Sequence, residues 1–229
     1  QLQDPERPHD GYEATLEALA MAADPVAVPA VAAFLHGELA RMGAGEQPSP
    51  VRREAIATLA VLRATEHRSL VLEAFERGDV YDQRIAAVAI GILGAASDLP
   101  TIERRLAKVQ YPRGAATMTM LLLAPERATK EDASALVAAA AEWDRSSYTL
   151  ALFVGLTALA ERFASGAPAD LARILADGCI DIARATFART RPRLVHRVDA
   201  GLWKPSKTRA LITFARRLEV QWSAVREHL

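Results

Sequence analysis

The sequence contains one cysteine, few aromatic residues and no long uncharged stretch. A single cysteine, Cys179, cannot form an internal disulfide, which excludes a disulfide-stapled fold, and it cannot build a thiolate zinc site. Aromatic residues make up only 6% of the chain, so small and aliphatic side chains have to build the core. The longest uncharged run, residues 146–160, is shorter than the roughly 20 residues that a membrane span requires, so no transmembrane segment is predicted.

Motifs of known catalytic chemistry are missing as well. The five histidines are scattered, none forms a His-x-x-x-His pair, and the chain has no P-loop and no Gly-x-Ser-x-Gly sequence. Ile180 and Ala183 flank Cys179 at helix-face spacing, which favours a small buried hydrophobe over a reactive thiol. We therefore expect no catalytic residue, no metal and no cofactor, and the residues favour a protein that is not an enzyme without closing that question.

The sequence does contain a ten-residue motif, called the phrase below, that occurs four times. An arginine leads each copy, and these arginines are 31, 29 and 32 residues apart, a period typical of stacked helical repeats. In the second copy, Ile85, Val88, Ile92 and Leu93 follow the spacing of an amphipathic helix. The four copies are Arg53-Glu-Ala-Ile-Ala-Thr-Leu-Ala-Val-Leu62, Arg84-Ile-Ala-Ala-Val-Ala-Ile-Gly-Ile-Leu93, Arg113-Gly-Ala-Ala-Thr-Met-Thr-Met-Leu-Leu122 and Arg145-Ser-Ser-Tyr-Thr-Leu-Ala-Leu-Phe-Val154.

Prolines, glycines and Asp or Ser caps divide the chain into helices, and valine and isoleucine do not gather into alternating runs, so we predict an all-α fold. A loop is predicted over residues 190–205, where Pro192, Gly201 and Pro205 interrupt the pattern. The predicted helices cover about residues 10–22, 25–41, 51–64, 66–77, 81–94, 98–108, 112–123, 130–141, 144–164, 168–189 and 206–227.

The phrase resembles the short bacterial HEAT-like repeat that also occurs in phycobilin lyases, and residues 84–94 match it best. The resemblance covers about residues 50–160. It implies a right-handed α-solenoid of antiparallel helix pairs, with about 10–11 helices, and a concave face suited to a protein or an extended ligand. It also implies that the leading arginines brace neighbouring repeats. On this basis residues 1–229 form a single solenoid domain, made of an acidic helix pair (10–50), HEAT-like repeats (51–165) and longer C-terminal helices with a basic segment (166–229).

The net charge of zero hides a strong asymmetry along the chain. Residues 1–50 hold eight acids against two arginines, whereas residues 182–217 hold ten Lys or Arg against one acid, Asp199. Clustered cations beside an aromatic residue are typical of sites that bind an anionic or acidic partner. The predicted partner-binding residues are Arg189, Arg191, Arg193, Arg197, Trp203, Lys204, Lys207 and Arg209.

These observations leave several functions open. The leading hypothesis is a non-enzymatic scaffold or adaptor that binds another protein with an acidic surface, or that associates head to tail with its own copies. The alternative is a nucleic-acid binder, related to the DNA-glycosylase branch of the family, that uses residues 184–217. There Trp143 and Asp144 could serve a flipped base, but the residues favour a helix cap for Asp144 and a plug between repeats for Trp143. A third possible function, a lyase that acts on a tetrapyrrole, is based only on analogy with the family's fold.

The compartment is open too. One cysteine fits a reducing cytosol, and we expect a soluble protein. The chain begins at Gln1 rather than Met, which would fit a periplasmic protein if a signal peptide has been removed.

Overall fold

A computed structural model describes residues 9–42, 49–107, 113–143, 149–166, 168–199 and 207–229. These residues form eleven α-helices and no strand, which confirms the predicted all-α fold. The helices are α1 (His9–Ala22), α2 (Val28–Arg41), α3 (Pro50–Val61), α4 (Arg68–Arg77), α5 (Val80–Leu93), α6 (Leu99–Leu106), α7 (Arg113–Leu123), α8 (Lys130–Trp143), α9 (Thr149–Ala164), α10 (Ala169–Asp199) and α11 (Lys207–Glu227). Single 3-10 turns precede α2, α4, α6 and α8.

Local capping chemistry explains where several of these helices begin. The Asp79 side chain accepts hydrogen bonds from the backbone N–H groups of Tyr81 and Asp82, and the Asp82 side chain accepts one from the Asp79 N–H. This reciprocal capping box satisfies donors at the first turn of α5 that otherwise have no helical partner. Pro50 and Pro100 stand at the first turns of α3 and α6, where the missing N–H costs nothing.

The chain divides into two compact units, Gln1–Thr119 and Met120–Leu229. The boundary between them falls within α7, inside the region predicted to hold the HEAT-like repeats. The single domain over residues 1–229, and its three parts, remain a prediction.

In the first unit, alternate helices pack against one another. Helix α3 packs between α1 and α5, while α2 contacts both α3 and α4, and α5 contacts α4 and α6. Helices α3 and α5 are therefore covered by neighbours on several sides, and 9 of the 12 residues of α3 and 10 of the 14 residues of α5 are buried. The core is aliphatic, as the composition predicts, with Phe75 its one fully buried large aromatic residue among those described.

In the second unit, α10 packs along α11, and both contact α9, while α8 contacts α10. Trp222 of α11 is fully buried, and its indole N–H donates to the carbonyl of Leu156 at 3.1 Å. Its ring lies against that of Phe163, with 6.0 Å between the centroids. The most buried large side chains are therefore contributed jointly by α9 and α11.

The prediction that the pattern breaks at Thr190 is wrong for residues 190–199, because α10 continues as a helix to Asp199. Pro192 stands inside this helix, where a proline removes one backbone hydrogen bond at a cost of about 3 kcal/mol. Helix α10 makes its most extensive contact with α11, and this packing is the stabilisation that we expect to offset the cost. Residues 200–206 of the predicted loop lie outside the described residues.

Candidate functional site

The predicted partner-binding residues fall on two neighbouring helices. Arg189, Arg191, Arg193 and Arg197 lie on α10, and Lys207 and Arg209 lie on α11. Trp203 and Lys204 lie outside the described residues. Because α10 packs along α11, residues separated by the predicted loop belong to one helix pair.

Three cross-helix contacts define the register of this pair. Arg226 Nε lies 3.1 Å from Asp177 Oδ1, and Arg184 Nε donates to Glu219 Oε1 at 2.7 Å. Seven residues forward along α10 thus match seven residues back along α11. Three residues further on, the Arg216 guanidinium lies 5.0 Å above the centre of the Phe187 ring. The helices are antiparallel, and steps of seven and three keep all these residues on facing sides.

Helix α8 accompanies only the first part of α10. Lys130 Nζ of α8 lies 2.8 Å from Asp170 Oδ2, and a Cβ on Gly178 would stand 2.4 Å from Cγ1 of Val137. The two helices therefore run side by side in the same direction, and the end of α8 at Trp143 is level with about residue 184 of α10. Beyond that level α10 continues to Asp199, and about three of its turns run alongside α11, whose first residue, Lys207, lies opposite about residue 196.

The balance of charge along the α10–α11 pair changes at this level, near residue 184 of α10. We call the side toward the N-terminus of α10 below this level and the side toward its C-terminus above it. The cross-helix ion pairs Asp177–Arg226 and Arg184–Glu219 lie at or below this level. Above it we define the cationic tip as residues 185–199 of α10 and 207–217 of α11. The tip contains eight cations and one acid, Asp199, a net charge of +7. Its cations are Arg189, Arg191, Arg193, Arg197, Lys207, Arg209, Arg216 and Arg217.

Three of these cations have described side chains, and all three are exposed. Arg189 Nε donates to the Ala185 carbonyl at 3.2 Å, which holds its side chain along the helix. The guanidinium groups of Arg216 and Arg217 lie over the rings of Phe187 and Phe214. Planar guanidinium groups held in this way present several N–H donors to solvent, a geometry suited to carboxylates and phosphates.

In the first unit, arginines join each helix to the next but one. Arg53 lies 3.4 Å from Asp82 and 3.6 Å from Asp79, so a leading arginine of α3 contacts α5. The buried contact, however, belongs to the preceding residue, Arg52, whose Nε and Nη2 donate to Asp82 Oδ2 at 2.8 and 2.5 Å. Arg84 lies over the Tyr81 ring of its own helix. The side-chain contacts of Arg113 and Arg145 lie outside the described residues.

The same brace recurs one helix later, between α4 and the 3-10 turn that precedes α6. Arg68 donates from Nε to Asp98 Oδ2 at 2.9 Å and from Nη2 to Asp98 Oδ1. Both braces join an arginine to an aspartate 30 residues later. Sequence reasoning missed this pattern, although it has a recognisable signal, an arginine followed 26 residues later by Gly-x-x-x-Asp.

The glycine of that signal is required by close approach. A Cβ on Gly78 would stand 2.5 Å from the Ala74 carbonyl oxygen and 2.5 Å from the Asp82 Cβ. A Cβ on Gly94 would stand 2.5 Å from the Ile90 carbonyl oxygen and 2.5 Å from Asp98 Oδ2. The glycine thus lets the aspartate fold back onto the helix end, where it meets the arginine.

A second set of arginines serves the helix C-termini of the first unit. Arg77 of α4 donates to the Leu39 carbonyl of α2 at 2.7 Å, and Arg105 of α6 donates to the Glu76 carbonyl of α4 at 2.5 Å. Carbonyls in the last turn of a helix lack helical donors and carry partial negative charge. Each arginine therefore caps a helix C-terminus and links that helix to the next but one.

An open groove of about 430 Å³ lies between α4 and α6. Both arginines that line the groove already donate hydrogen bonds within the protein. Arg105 caps α4, and Arg104 donates to the Pro100 carbonyl and the Thr101 hydroxyl. The groove is explained by the packing of these two short helices.

Three further candidates from the sequence are a metal site, Cys179 and the pair Trp143 and Asp144. No group of three or more His, Cys, Asp or Glu side chains among the described residues is arranged to hold a metal. Cys179 is fully buried, which confirms its predicted role as a small hydrophobe, and burial raises the pKa of its thiol. Trp143 ends α8, and Asp144, the candidate cap or catalytic acid, lies outside the described residues.

We expect Cys179 to resist thiol reagents in the native protein. Only the thiolate is nucleophilic, and burial both hides the sulfur and disfavours that charged form. Labelling with an aromatic disulfide should reach one equivalent in denaturant and remain at least about a hundredfold slower without it, at pH 9 as at pH 7. Fast native labelling that rises with pH would contradict this placement of the side chain.

Comparisons with family models, with curated proteins and with solved structures return no match for this chain. Among the described residues, no helix is both long enough and apolar enough to cross a bilayer.

Proposed function

We propose that this protein is a non-enzymatic interaction scaffold of HEAT-like helix pairs, which binds an acidic surface of another protein at its cationic tip. The proposal depends on one observation: among the described residues, the ion pairs between α10 and α11 end at Arg184–Glu219, and beyond that pair nearly all charged residues are cations. Below Arg184–Glu219, acids and arginines alternate across the α10–α11 pair; above it, eight cations share one acid. Such one-sided charge attracts an oppositely charged partner and speeds its encounter.

The packing of the first unit supports the repeat part of this proposal. Alternate contacts of α1 with α3 and of α3 with α5, beside those of α2 with α4, are what a stack of helix pairs requires. Each arginine–aspartate brace spans 30 residues, about one repeat, which fits a solenoid in which each helix pair contacts only its neighbours. In this reading the repeats supply a rigid frame and the tip supplies specificity.

The composition favours protein over nucleic acid as the partner. Domains that bind nucleic acid are usually basic throughout, whereas this chain has a net charge of zero. The described rings of the tip, Phe187 and Phe214, already lie under Arg216 and Arg217, so neither offers both faces to a base. Head-to-tail association, with the acidic residues 1–50 of one copy meeting the tip of another, is a special case of an acidic protein partner.

The test is a charge reversal at the tip with a matched reversal outside it. R216E/R217E changes two exposed tip arginines, while R162E/R173E makes the same charge change at two exposed arginines outside the tip. In affinity capture from the native organism, with nuclease added, we expect one or more acidic proteins to be recovered by wild type and by R162E/R173E, and to be lost with R216E/R217E or at high salt.

Three outcomes would contradict the proposal. Equal recovery by both double variants would show that the tip is not the binding element. In a parallel capture without nuclease, tip-dependent recovery of nucleic acid in place of an acidic protein would favour the alternative function. If the protein chemically converted a compound recovered in the capture, and R216E/R217E abolished that conversion, the protein would be an enzyme.

A further inference from the structure

The tip offers apolar as well as charged surface. Phe187 of α10 and Leu211 and Ile212 of α11 are only half-buried, whereas Phe214 and Leu218 of α11 are buried. Helix α8 ends level with about residue 184 of α10, before it reaches Phe187, Leu211 or Ile212, so it does not extend over these three residues. Two helices alone cannot cover both sides of their shared apolar seam.

The packing geometry of the pair suits a third helix. Contacts that recur at steps of seven and three residues indicate helices that cross at a small angle, as in coiled coils and bundles. In such an arrangement the groove between two helices receives the side chains of another helix along several turns. Because α11 begins opposite about residue 196 of α10, the groove that the two helices share beyond the end of α8 is about 18 Å long and would accommodate about three turns.

We infer that the partner segment is an amphipathic helix with acidic flanks, which packs on the cationic tip as its third helix. The inference rests on the proposed function and specifies the partner's chemistry. The apolar stripe of such a helix would cover Phe187, Leu211 and Ile212, while its acidic flanks would meet Arg216, Arg217 and the other tip cations. An extended acidic segment could use the charges only, because the backbone of both tip helices is hydrogen-bonded internally and offers no strand edge.

The experiment compares two labelled peptides of identical composition on the intact chain. The first is a 21-residue heptad peptide with leucine at the a and d positions and glutamate and alanine elsewhere. The second is a scrambled version of it without an apolar stripe. We expect the heptad peptide to bind at least about tenfold more tightly in fluorescence anisotropy, because only it can bury apolar side chains as well as pair charges.

Two variants separate the apolar and the charged contributions. L211S should weaken the heptad peptide by about tenfold and leave the scrambled peptide unchanged, since it removes apolar contact alone. R216E/R217E should weaken both peptides, and R162E/R173E should weaken neither. Circular dichroism of each variant confirms that its helices remain folded, so a loss of binding cannot be assigned to unfolding.

The outcomes distinguish this inference from the proposed function. Equal affinity for both peptides, sensitive to R216E/R217E, would overturn helix docking and leave an acidic partner in place. No binding of either peptide would also overturn helix docking. Binding of a 15-base-pair DNA duplex in place of both peptides, with the same sensitivity to R216E/R217E, would overturn the inference and the proposed function together.

Discussion

Replacing Asp82 with asparagine will lower the free energy of unfolding by about 3–5 kcal/mol. Asp82 and Arg52 are both buried, at 0% and 4% exposure, and two hydrogen bonds join them. Asparagine keeps an oxygen for the Asp79 N–H, so the helix cap survives. The guanidinium of Arg52, however, is left as an uncompensated charge inside the protein, and that charge is the source of the loss.

The pair itself contributes much less than the loss of one partner suggests. Burial raises the pKa of the Asp82 carboxyl, and the hydrogen bond and charge of Arg52 offset this only in part. The ionised carboxylate is therefore expensive to bury even beside its partner. We expect R52M/D82N, which removes both charges, to be more stable than the sum of R52M and D82N predicts by about 1–3 kcal/mol.

Chemical denaturation followed by circular dichroism measures both effects. The matched control is E73Q, which removes an exposed ion pair with Arg77 on α4. Because water screens exposed charges, E73Q should change stability by less than about 0.5 kcal/mol. Additive losses in R52M and D82N, or a D82N loss no larger than that of E73Q, would show that the pair is not buried as described.

Replacing Trp222 with alanine will destabilise the protein by about 3–5 kcal/mol. Trp222 is the largest fully buried side chain in the described part of the chain. Its removal leaves a cavity beside Phe163 and deprives the Leu156 carbonyl of its indole donor. W222F should lose less, about 1–2 kcal/mol, since a phenyl ring fills most of the space but supplies no donor.

The same denaturation experiment tests Trp222, with Val220 as the control. Val220 lies two residues away on α11 and is 69% exposed, so V220A should change stability by no more than about 0.5 kcal/mol. If W222A and V220A had similar effects, the packing of α11 against α9 would be wrong. If W222F matched W222A, the hydrogen bond rather than the ring would dominate.

Local signals in the sequence predicted the helices well. Proline, glycine and aspartate caps placed the beginnings of α3 and α5 within a residue of their observed positions, because these residues act on the backbone beside them. The leading arginine of the first phrase, Arg53, was predicted to brace the next helix pair, and it does. The burial of Cys179 followed from its apolar neighbours in the same way.

The partners of the arginines could not be predicted in the same way. Arg52 and Arg53 are adjacent, and only the orientation of α3 against α5 decides that Arg52 is buried at Asp82 while Arg53 stays nearer the surface. An ion pair between residues 30 apart depends on which helices touch, which a local pattern does not contain. The recurrence at Arg68 and Asp98 became visible only once the first brace was known.

The sequence by itself determined that this protein is all-α, which segments form most of its helices, and that acidic residues lie at its beginning and cations near its end. Only the tertiary structure decided that α10 continues through Pro192, because packing along α11 compensates for the lost hydrogen bond. It also decided which charges oppose one another. The antiparallel register pairs Asp177 and Glu219 with arginines below the end of α8, and it leaves the cations above that level in one tip. The number and order of the charges can be read from the sequence, but which charges pair depends on which helix faces meet.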